Sequence, residues 1–268
     1  MRFRAFLRCA LLVLVLAVAA RAAERPHFVR QKPGKEPGSG AFQTAAVVYT
    51  SPKSAAQIVL CAVVHVGERA YFDQLQTRLS ASTLVLYEAV QIGESPHPVP
   101  ATDRWLDPAT ALGSMLGLVH QATALNYRSR NFVWADVSLD ELFKGGGSDM
   151  LGSLLGSAPS NPSAALLTGL SNLLWSAFDP RRARAELANV LATAFDDLPN
   201  MLGSKLANSL IGLRNDRLMT VLDARLPTVP TGRITVLYGA GHMPDLDKRL
   251  QQRGWSPTKV AWYSAWTY

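Results

Sequence analysis

The stretch Ile58–Val66, which reads IVLCAVVHV, decides the fold of this 268-residue chain. It is made almost entirely of β-branched and other apolar residues and carries no charge. Such a run is typical of a strand that is buried on both faces, in a sheet with helices packed on each side. Residues 68–80 then have apolar side chains at helical spacing, and residues 83–90 again predict a strand. This order predicts a βαβ unit with a right-handed crossover to a parallel neighbour.

The rest of the chain adds elements of the same kind. Apolar runs predict strands at 45–49, 132–137, 234–238 and 259–268, and apolar spacing predicts helices at 107–127, 181–196, 204–224 and 245–253. Ser138 and Glu141 fit a capping box. Residues from about 138 to 200 predict an all-helical insertion. We therefore predict an α/β fold: a central mixed, largely parallel sheet flanked by helices, interrupted by the insertion.

The first 22 residues have the composition of a removable export signal. Three arginines precede an apolar run at 10–20, and Ala20-Arg21-Ala22 offers a cleavage site. The run is shorter than the roughly 20 residues of a membrane-spanning helix. We expect cleavage after Ala22 and an exported chain, periplasmic or secreted, with no stable membrane span; an uncleaved anchor is the alternative. Residues 23–43 predict a flexible leader and 44–268 a single domain.

Much of the positive charge belongs to this signal. Its cleavage removes four arginines and no acidic residue, so the formal net charge falls from +7 to +3. The one tight basic group that remains, at 181–184, has no interleaved aromatic residues, and we therefore expect no nucleic-acid partner. Cys61 would be the one cysteine left, which excludes an intramolecular disulfide, CxxC zinc sites and iron–sulfur clusters.

Polar side chains stand where the predicted central strands end. His65 and Glu88 end two of these strands, and His242 follows the strand at 234–238. In open α/β sheets, ligands bind at the carboxyl ends of the strands. Two imidazoles and a carboxylate can hold a divalent transition metal, so we predict His65, Glu88 and His242 as metal ligands. Acid–base chemistry without a metal is the alternative that these residue types leave open.

Arg214 is the fourth unusual residue, because it lies near the middle of the apolar face of the helix predicted at 204–224. A charge there needs a buried partner such as Glu88, or a ligand. We expect Arg214 to pair with Glu88 or to stabilise a developing oxyanion, and Glu88 or Glu68 to serve as acid or base. A purely structural Arg–Glu pair is the alternative. The residues expected to contact the substrate are Asn215, Arg217 and Tyr238.

Taken in order, these motifs resemble the TraB/PrgY–GumN–TIKI family, part of a wider group with erythromycin esterase and ChaN-like proteins. The matching segments are AVVH at 62–65, YE at 87–88, ADVS at 135–138, RN at 214–215, GAGH at 239–242 and GW at 254–255. Ala62 stands where the family has glycine in its first Gly-x-x-His motif. The resemblance covers about residues 45–258.

The resemblance implies an α/β fold with helical insertions. For TIKI-type members it also implies hydrolysis of peptide bonds with manganese- or cobalt-like ions; other relatives are implicated in peptide-pheromone shutdown or haem-iron binding. Since function does not follow from fold alone, we keep three hypotheses. The leading one is an exported metal-dependent hydrolase of peptide or amide bonds, with manganese or cobalt and a peptide or small-molecule substrate. The others are a metal-independent, esterase-like hydrolase and a non-catalytic exported protein that sequesters a peptide or haem.

Overall fold

The computed structural model describes residues 27–91, 113, 115–142 and 179–268, without the side chains of 196–206 and 209. Several predictions therefore lie outside the described residues: the export signal, the first part of the helix at 107–127 and most of the all-helical insertion. Within the described part of the chain, no helix has both the length and the apolar character needed to span a bilayer.

The described residues form nine strands and six α-helices. The strands are β1 (Val29–Pro33), β2 (Gly40–Ser51), β3 (Ser54–Val63), β4 (Val66–Gly67), β5 (Leu84–Tyr87), β6 (Val119–His120), β7 (Phe132–Trp134), β8 (Thr231–Gly239) and β9 (Ser256–Thr267). The helices are α1 (Arg69–Ser80), α2 (Gln121–Ala124), α3 (Leu139–Leu142), α4 (Pro180–Ala207), α5 (Leu213–Arg225) and α6 (Met243–Gln252). A π-helical turn (Asn208–Gly212) joins α4 to α5, and 3₁₀ turns (Leu226–Thr228 and Ala240–His242) flank β8.

Seven strands form one mixed sheet in the order β1-β2-β3-β8-β5-β7, with β9 paired to β2. Strands β3, β8, β5 and β7 are parallel to one another. Strand β2 is antiparallel to β1, β3 and β9, while β4 and β6 form a small separate pair. The predicted α/β fold with a mixed, largely parallel sheet is confirmed.

Strand β3 is buried on both faces, as its sequence predicts. Residues Ile58–Val63 are each at most 1% exposed. Alternate side chains point to opposite faces of a strand. The side chains that pack with α1 and α4 are Val59, Cys61 and Val63, and those that pack with α5 and α6 are Ile58, Leu60 and Ala62. Burial raises the pKa of Cys61 to about 12, so this thiol is an inert core residue.

The βαβ unit from β3 through α1 to β5 has parallel strands, but the two are not neighbours. Strand β8, from far along the chain, lies between them and pairs with both. The insertion of β8 matters for the site, because it places the turn that carries His242 between the segments that carry His65 and Glu88.

Two predictions about element boundaries are wrong near the start and the middle of the chain. Part of the leader predicted over 23–43 is ordered sheet, since residues 29–33 are β1 and β2 begins at residue 40. The pairing of β1 with β2 supplies its backbone hydrogen bonds. The helix predicted at 107–127 is interrupted, because residues 119–120 form β6 against β4, and helical structure resumes after it as the short α2.

The helices predicted at 181–196 and 204–224 are one helical stretch from Pro180 to Arg225. The π-helical turn keeps the chain helical between α4 and α5, so no loop separates them. The capping box is confirmed: Ser138 Oγ accepts from the Glu141 backbone N–H at 3.1 Å, and Glu141 Oε2 accepts from the Ser138 N–H at 2.8 Å.

Candidate functional site

Five polar residues meet beyond the carboxyl ends of the parallel strands. His65 lies two residues after β3, Glu88 directly follows β5, Asp136 lies two residues after β7, and His242 ends the turn after β8. Arg214, from the first turn of α5, reaches the same place. The carboxyl edge of a parallel sheet is the usual position of a ligand site in this class of fold.

Arg214 is the centre of a buried ion-pair network. Its Nη2 donates to Glu88 Oε1 and to Asp136 Oδ2, each at 2.6 Å, and its Nε donates to Asp136 Oδ1 at 2.9 Å. Asp136 is fully buried and Arg214 is 8% exposed. The pairing with Glu88 agrees with the sequence interpretation, and Asp136 is a second partner that it missed.

The network favours the charged forms of Glu88 and Arg214. Burial acts to raise the pKa of Glu88, but the charge of Arg214, with smaller effects from His242 and His65, lowers it well below its usual value. Burial likewise acts to lower the pKa of Arg214, while Glu88 and Asp136 raise it above the ordinary range. Opposite charges within hydrogen-bonding distance favour the ionised forms.

Gly239 lets the backbone approach the Glu88 carboxylate closely. Its N–H donates to Glu88 Oε2 at 2.5 Å. A Cβ atom at this position would lie 3.2 Å from the same oxygen, so a larger residue would push the carboxylate away. Both oxygens of Glu88 are therefore engaged, one by Arg214 and the other by Gly239.

His242 is held on one side by Asn215 and faces Arg214 on the other. Asn215 Nδ2 donates to Asp245 Oδ2 at 2.8 Å and to the His242 carbonyl at 3.3 Å. Asn215 Oδ1 is then the acceptor for His242 Nδ1, at 2.8 Å. The Nδ1 atom thus carries the proton, and the lone pair of Nε2 lies 3.4 Å from Arg214 Nη1 and 3.6 Å from Glu88 Oε1.

The His242 imidazole is neutral at neutral pH. Burial lowers its pKa, Arg214 lowers it further, and the carboxylates of Glu88 and Asp136 oppose that shift without cancelling it. The edge of the Tyr238 ring packs against the imidazole, with 5.2 Å between ring centroids. The site thus presents an unprotonated imidazole nitrogen next to a permanent cation, an arrangement suited to proton abstraction beside a developing negative charge.

These groups form one end of a cavity of about 390 Å³, a volume typical of small-molecule sites. His65, Glu88, Arg214 and His242 line its polar end. Its apolar lining includes Val63 and Val64 after β3, Leu187, Leu191 and Phe195 from α4, and Ile211 from the π-helical turn. The described walls therefore suit a ligand with an apolar body and a polar group at one end.

His65 is the exposed member of the set. Its ring lies parallel to that of His120, with 6.3 Å between centroids. Ala62, where the resembled family has glycine, is fully buried, and its methyl group packs in the core with α5 and α6. The substitution therefore adds core contacts and does not place a side chain in the cavity.

The other predicted residues do not line the described cavity. Glu68 Oε1 accepts from Arg184 Nη1 at 3.1 Å and from the Thr267 hydroxyl at 2.9 Å, so it ties α4 to β9. Arg217 is exposed, with its guanidinium 5.9 Å from the Trp134 ring centroid. Asn215 and Tyr238 are buried and contact His242 from behind. A substrate-contacting role for these three and an acid–base role for Glu68 find no support in this geometry.

The predicted metal ligands do not fit a divalent ion in this arrangement. Within the part of the chain that the structure describes, no three His, Cys, Asp or Glu side chains converge as a metal would require. Both oxygens of Glu88 accept from other donors, and His242 Nε2 faces the guanidinium of Arg214. The guanidinium takes the place between carboxylates and imidazole that a metal cation would need.

Sequence reasoning missed Asp136 and Asp245. Asp136 carries the same signal as Glu88, an acid near the carboxyl end of an apolar predicted strand, here at 132–137, and that signal could have found it. The observed strand ends at Trp134, so Asp136 lies at the functional edge. Asp245 lay in a predicted helix, where an acidic residue of the first turn needs no special explanation.

Comparisons of the chain with family models, with curated proteins and with solved structures find no match. The resemblance to the TraB/PrgY–GumN–TIKI family therefore rests on the motif residues alone.

Proposed function

We propose that this chain is an exported hydrolase that cleaves an ester or amide bond by acid–base chemistry, with His242 as general base and Arg214 as oxyanion donor. The observation that supports this most directly is the neutral Nε2 of His242 beside the Arg214 guanidinium, at the polar end of an apolar cavity. Of the three hypotheses from the sequence, the metal-independent hydrolase agrees best with this geometry. The metal-dependent one would require Arg214 to move away from Glu88.

Arg214 has N–H donors that do not bond to Asp136 or Glu88. A guanidinium carries five N–H groups, and three of them are used on Asp136 and Glu88. Among the residues that the structure describes, the two on Nη1 have only a long contact to His242 Nε2, at 3.4 Å. In the proposed mechanism one Nη1–H group donates to the substrate carbonyl oxygen and stabilises the negative charge that develops there.

His242 moves the proton. Its Nε2 takes a proton from water while the water oxygen attacks the carbonyl carbon, and the same proton is then delivered to the leaving alcohol or amine. Glu88 Oε1 lies 3.6 Å from Nε2 and stabilises the imidazolium between these two steps. The hydrogen bond from Nδ1 to Asn215 keeps the ring in position. No group needs to leave or enter the protein beyond substrate, water and products.

The test is hydrolysis by the purified chain 23–268 of p-nitrophenyl acetate, butyrate and octanoate and of the matching anilides. Assays with EDTA and with added manganese separate the two hydrolytic hypotheses. We expect turnover that EDTA does not change, and at least a roughly hundredfold lower kcat for His242→Gln. The exposed His27→Gln is the matched control and should leave kcat unchanged. Absence of turnover, or full activity in His242→Gln, contradicts the proposal; loss with EDTA and recovery with manganese would instead support the metal-dependent reading.

A second candidate is a non-catalytic protein that sequesters an apolar ligand. The observation in its favour is that Glu88, Asp136 and Arg214 already satisfy one another, at the end of a cavity with apolar walls. A fluorescent fatty acid and haem are suitable probes. Saturable binding that Leu191→Glu weakens, together with no turnover of any ester or anilide, would favour this candidate.

A further inference from the structure

We propose that Asp245 is a positioning residue that fixes the tautomer of His242 through Asn215. The effect on turnover rests on the proposed function, because it assumes that His242 Nε2 is the base. The effect on the tautomer does not, since it follows from hydrogen-bond geometry alone.

The three side chains form a chain of hydrogen bonds behind the imidazole. His242 Nδ1 bonds to Asn215 Oδ1 at 2.8 Å, and Asn215 Nδ2 bonds to Asp245 Oδ2 at 2.8 Å. The same Asp245 oxygen accepts from Arg249 Nε at 2.5 Å. Arg249 in turn donates through Nη1 to Asp216 Oδ1. This series of hydrogen bonds therefore extends from the buried imidazole of His242 to the partly exposed Arg249 on α6.

Asp245 accepts the shorter of the two hydrogen bonds that orient the Asn215 amide. An amide has a donor end and an acceptor end, whereas an ionised carboxylate can only accept. Asp245 at 2.8 Å and the His242 carbonyl at 3.3 Å therefore draw the NH₂ group of Asn215 and leave its oxygen for His242 Nδ1. Asn215 is fully buried, so a reversed amide would leave two acceptors facing each other without water to separate them.

The orientation of Asn215 then sets the state of the imidazole. An acceptor oxygen next to Nδ1 requires the proton to be on Nδ1, and the lone pair is left on Nε2, the atom that faces Arg214 and the cavity. With the reversed amide the proton would move to Nε2, and the catalytic edge of the ring would become a donor. Such a ring cannot accept a proton from water.

The substitution Asp245→Ala removes the acceptor that holds Asn215. The Nδ2 group of Asn215 then keeps only its 3.3 Å bond to the His242 carbonyl, so the amide can turn and both tautomers of His242 become populated. Asp245→Asn is the conservative variant, because Asn215 and Arg249 donate to the same oxygen and an amide oxygen in that place accepts from both. Asp223→Ala, which removes an exposed pair with Arg253 at 3.5 Å, is the matched control.

The tautomer is read from the ¹⁵N NMR spectrum of the protein 23–268 with ¹⁵N-labelled histidine, at pH 8 and without substrate. The signals of His242 are identified by their absence from the spectrum of His242→Gln. We expect a protonated Nδ1 and an unprotonated Nε2 in the wild type, Asp245→Asn and Asp223→Ala. In Asp245→Ala we expect a mixture of both tautomers, with kcat for the best ester lowered by about twofold or more and KM unchanged. Near-UV circular dichroism checks that each variant is folded.

The outcomes separate this inference from the proposed function. A folded Asp245→Ala that keeps the wild-type tautomer alone overturns the inference. If that variant is unfolded, a wild-type spectrum with the proton on Nε2, or a changed tautomer in Asp245→Asn, overturns it equally. A changed tautomer in Asp245→Ala with unchanged turnover supports the role of Asp245 and contradicts the assignment of His242 as the base.

Discussion

Glu88 and Asp136 share the guanidinium of Arg214, so the formal charges of the three side chains sum to one negative charge. With His242 neutral, nothing among these four groups offers an unpaired positive charge to an anionic ligand. An uncharged ester or amide suits this environment better than a free carboxylate does, because a second anion would be repelled by the net charge. The buried pair is thus compatible with the chemistry proposed for the cavity.

Removing the shared cation should be costly. Arg214→Met would leave two buried carboxylates close together without a partner, and we expect a loss of about 3–5 kcal/mol in the free energy of unfolding. Arg69→Met is the control, since Arg69 forms an exposed pair with Asp73 at 2.9 Å and such pairs contribute about 0.2–1 kcal/mol. Urea unfolding of both variants measures the difference. Equal losses would mean that the network contributes no more than a surface pair.

Acid should destabilise the protein in two steps. The pKa of His242 is lowered from 6.5 in the folded state, so the unfolded chain binds more protons, and stability falls as the pH drops below about 6.5. Glu88, with its pKa lowered from 4.5, adds a further loss below about 4.5. Urea unfolding at pH 8, 6.5 and 5 should show the first step. This loss in the free energy of unfolding should be smaller in His242→Gln and unchanged in His27→Gln. An unchanged pH dependence in His242→Gln would contradict the assignment of the first step to His242.

Among the elements, the strands carried the clearest sequence signals. Ile58–Val66 predicted β3, and the apolar run before Gly239 predicted β8. The sequence did not show that β3 and β8 pair with each other. Contacts between distant segments are set by the packing of the whole sheet and not by the local residue pattern. The same limit explains Glu68: its spacing three residues after His65 suggested a shared site, but β4 pairs with β6 and turns the chain before Glu68.

Glu68 was predicted as a catalytic acid or base, but its contacts are structural. It precedes α1 and binds Arg184 of α4 and Thr267 of β9. Glu68→Gln should therefore lower the free energy of unfolding by about 1–2 kcal/mol through weakened hydrogen bonds. It should leave kcat for the best substrate within about twofold, since proton transfer through Glu68 would instead be worth roughly a hundredfold or more. A large fall in kcat with unchanged stability would restore Glu68 as an acid or base.

For the molecule as a whole, the site depends on the complete sheet. Its members come from the segments after β3, β5, β7 and β8 and from α5, so most of the described chain must fold before they meet. The sequence could predict where His65, Glu88 and His242 stand because each follows its own strand. It could not predict that Arg214 lies between the carboxylates and the imidazole, because that position depends on how α5 packs across the sheet.

The first described residues of the chain lie close to the proposed cleavage point. Phe28 is 5% exposed and packs in the core with α5 and α6, and β1 starts at Val29. Cleavage after Ala22 would leave five residues before Phe28, so every described element would be retained in the mature chain. The proposed export signal and the sheet are therefore compatible in one chain.

Expression of the full chain in a Gram-negative host, followed by fractionation and mass spectrometry, should find a periplasmic or extracellular form that begins at Ala23. Loss of four arginines lowers the formal net charge from +7 to +3, so isoelectric focusing should resolve it from the precursor. Bulky residues are poor substrates at the cleavage site, and Ala20→Leu with Ala22→Leu should therefore accumulate the precursor in the membrane fraction. A chain that keeps Met1 in the wild type would show instead that residues 1–22 act as an anchor or stay with a protein that is not exported.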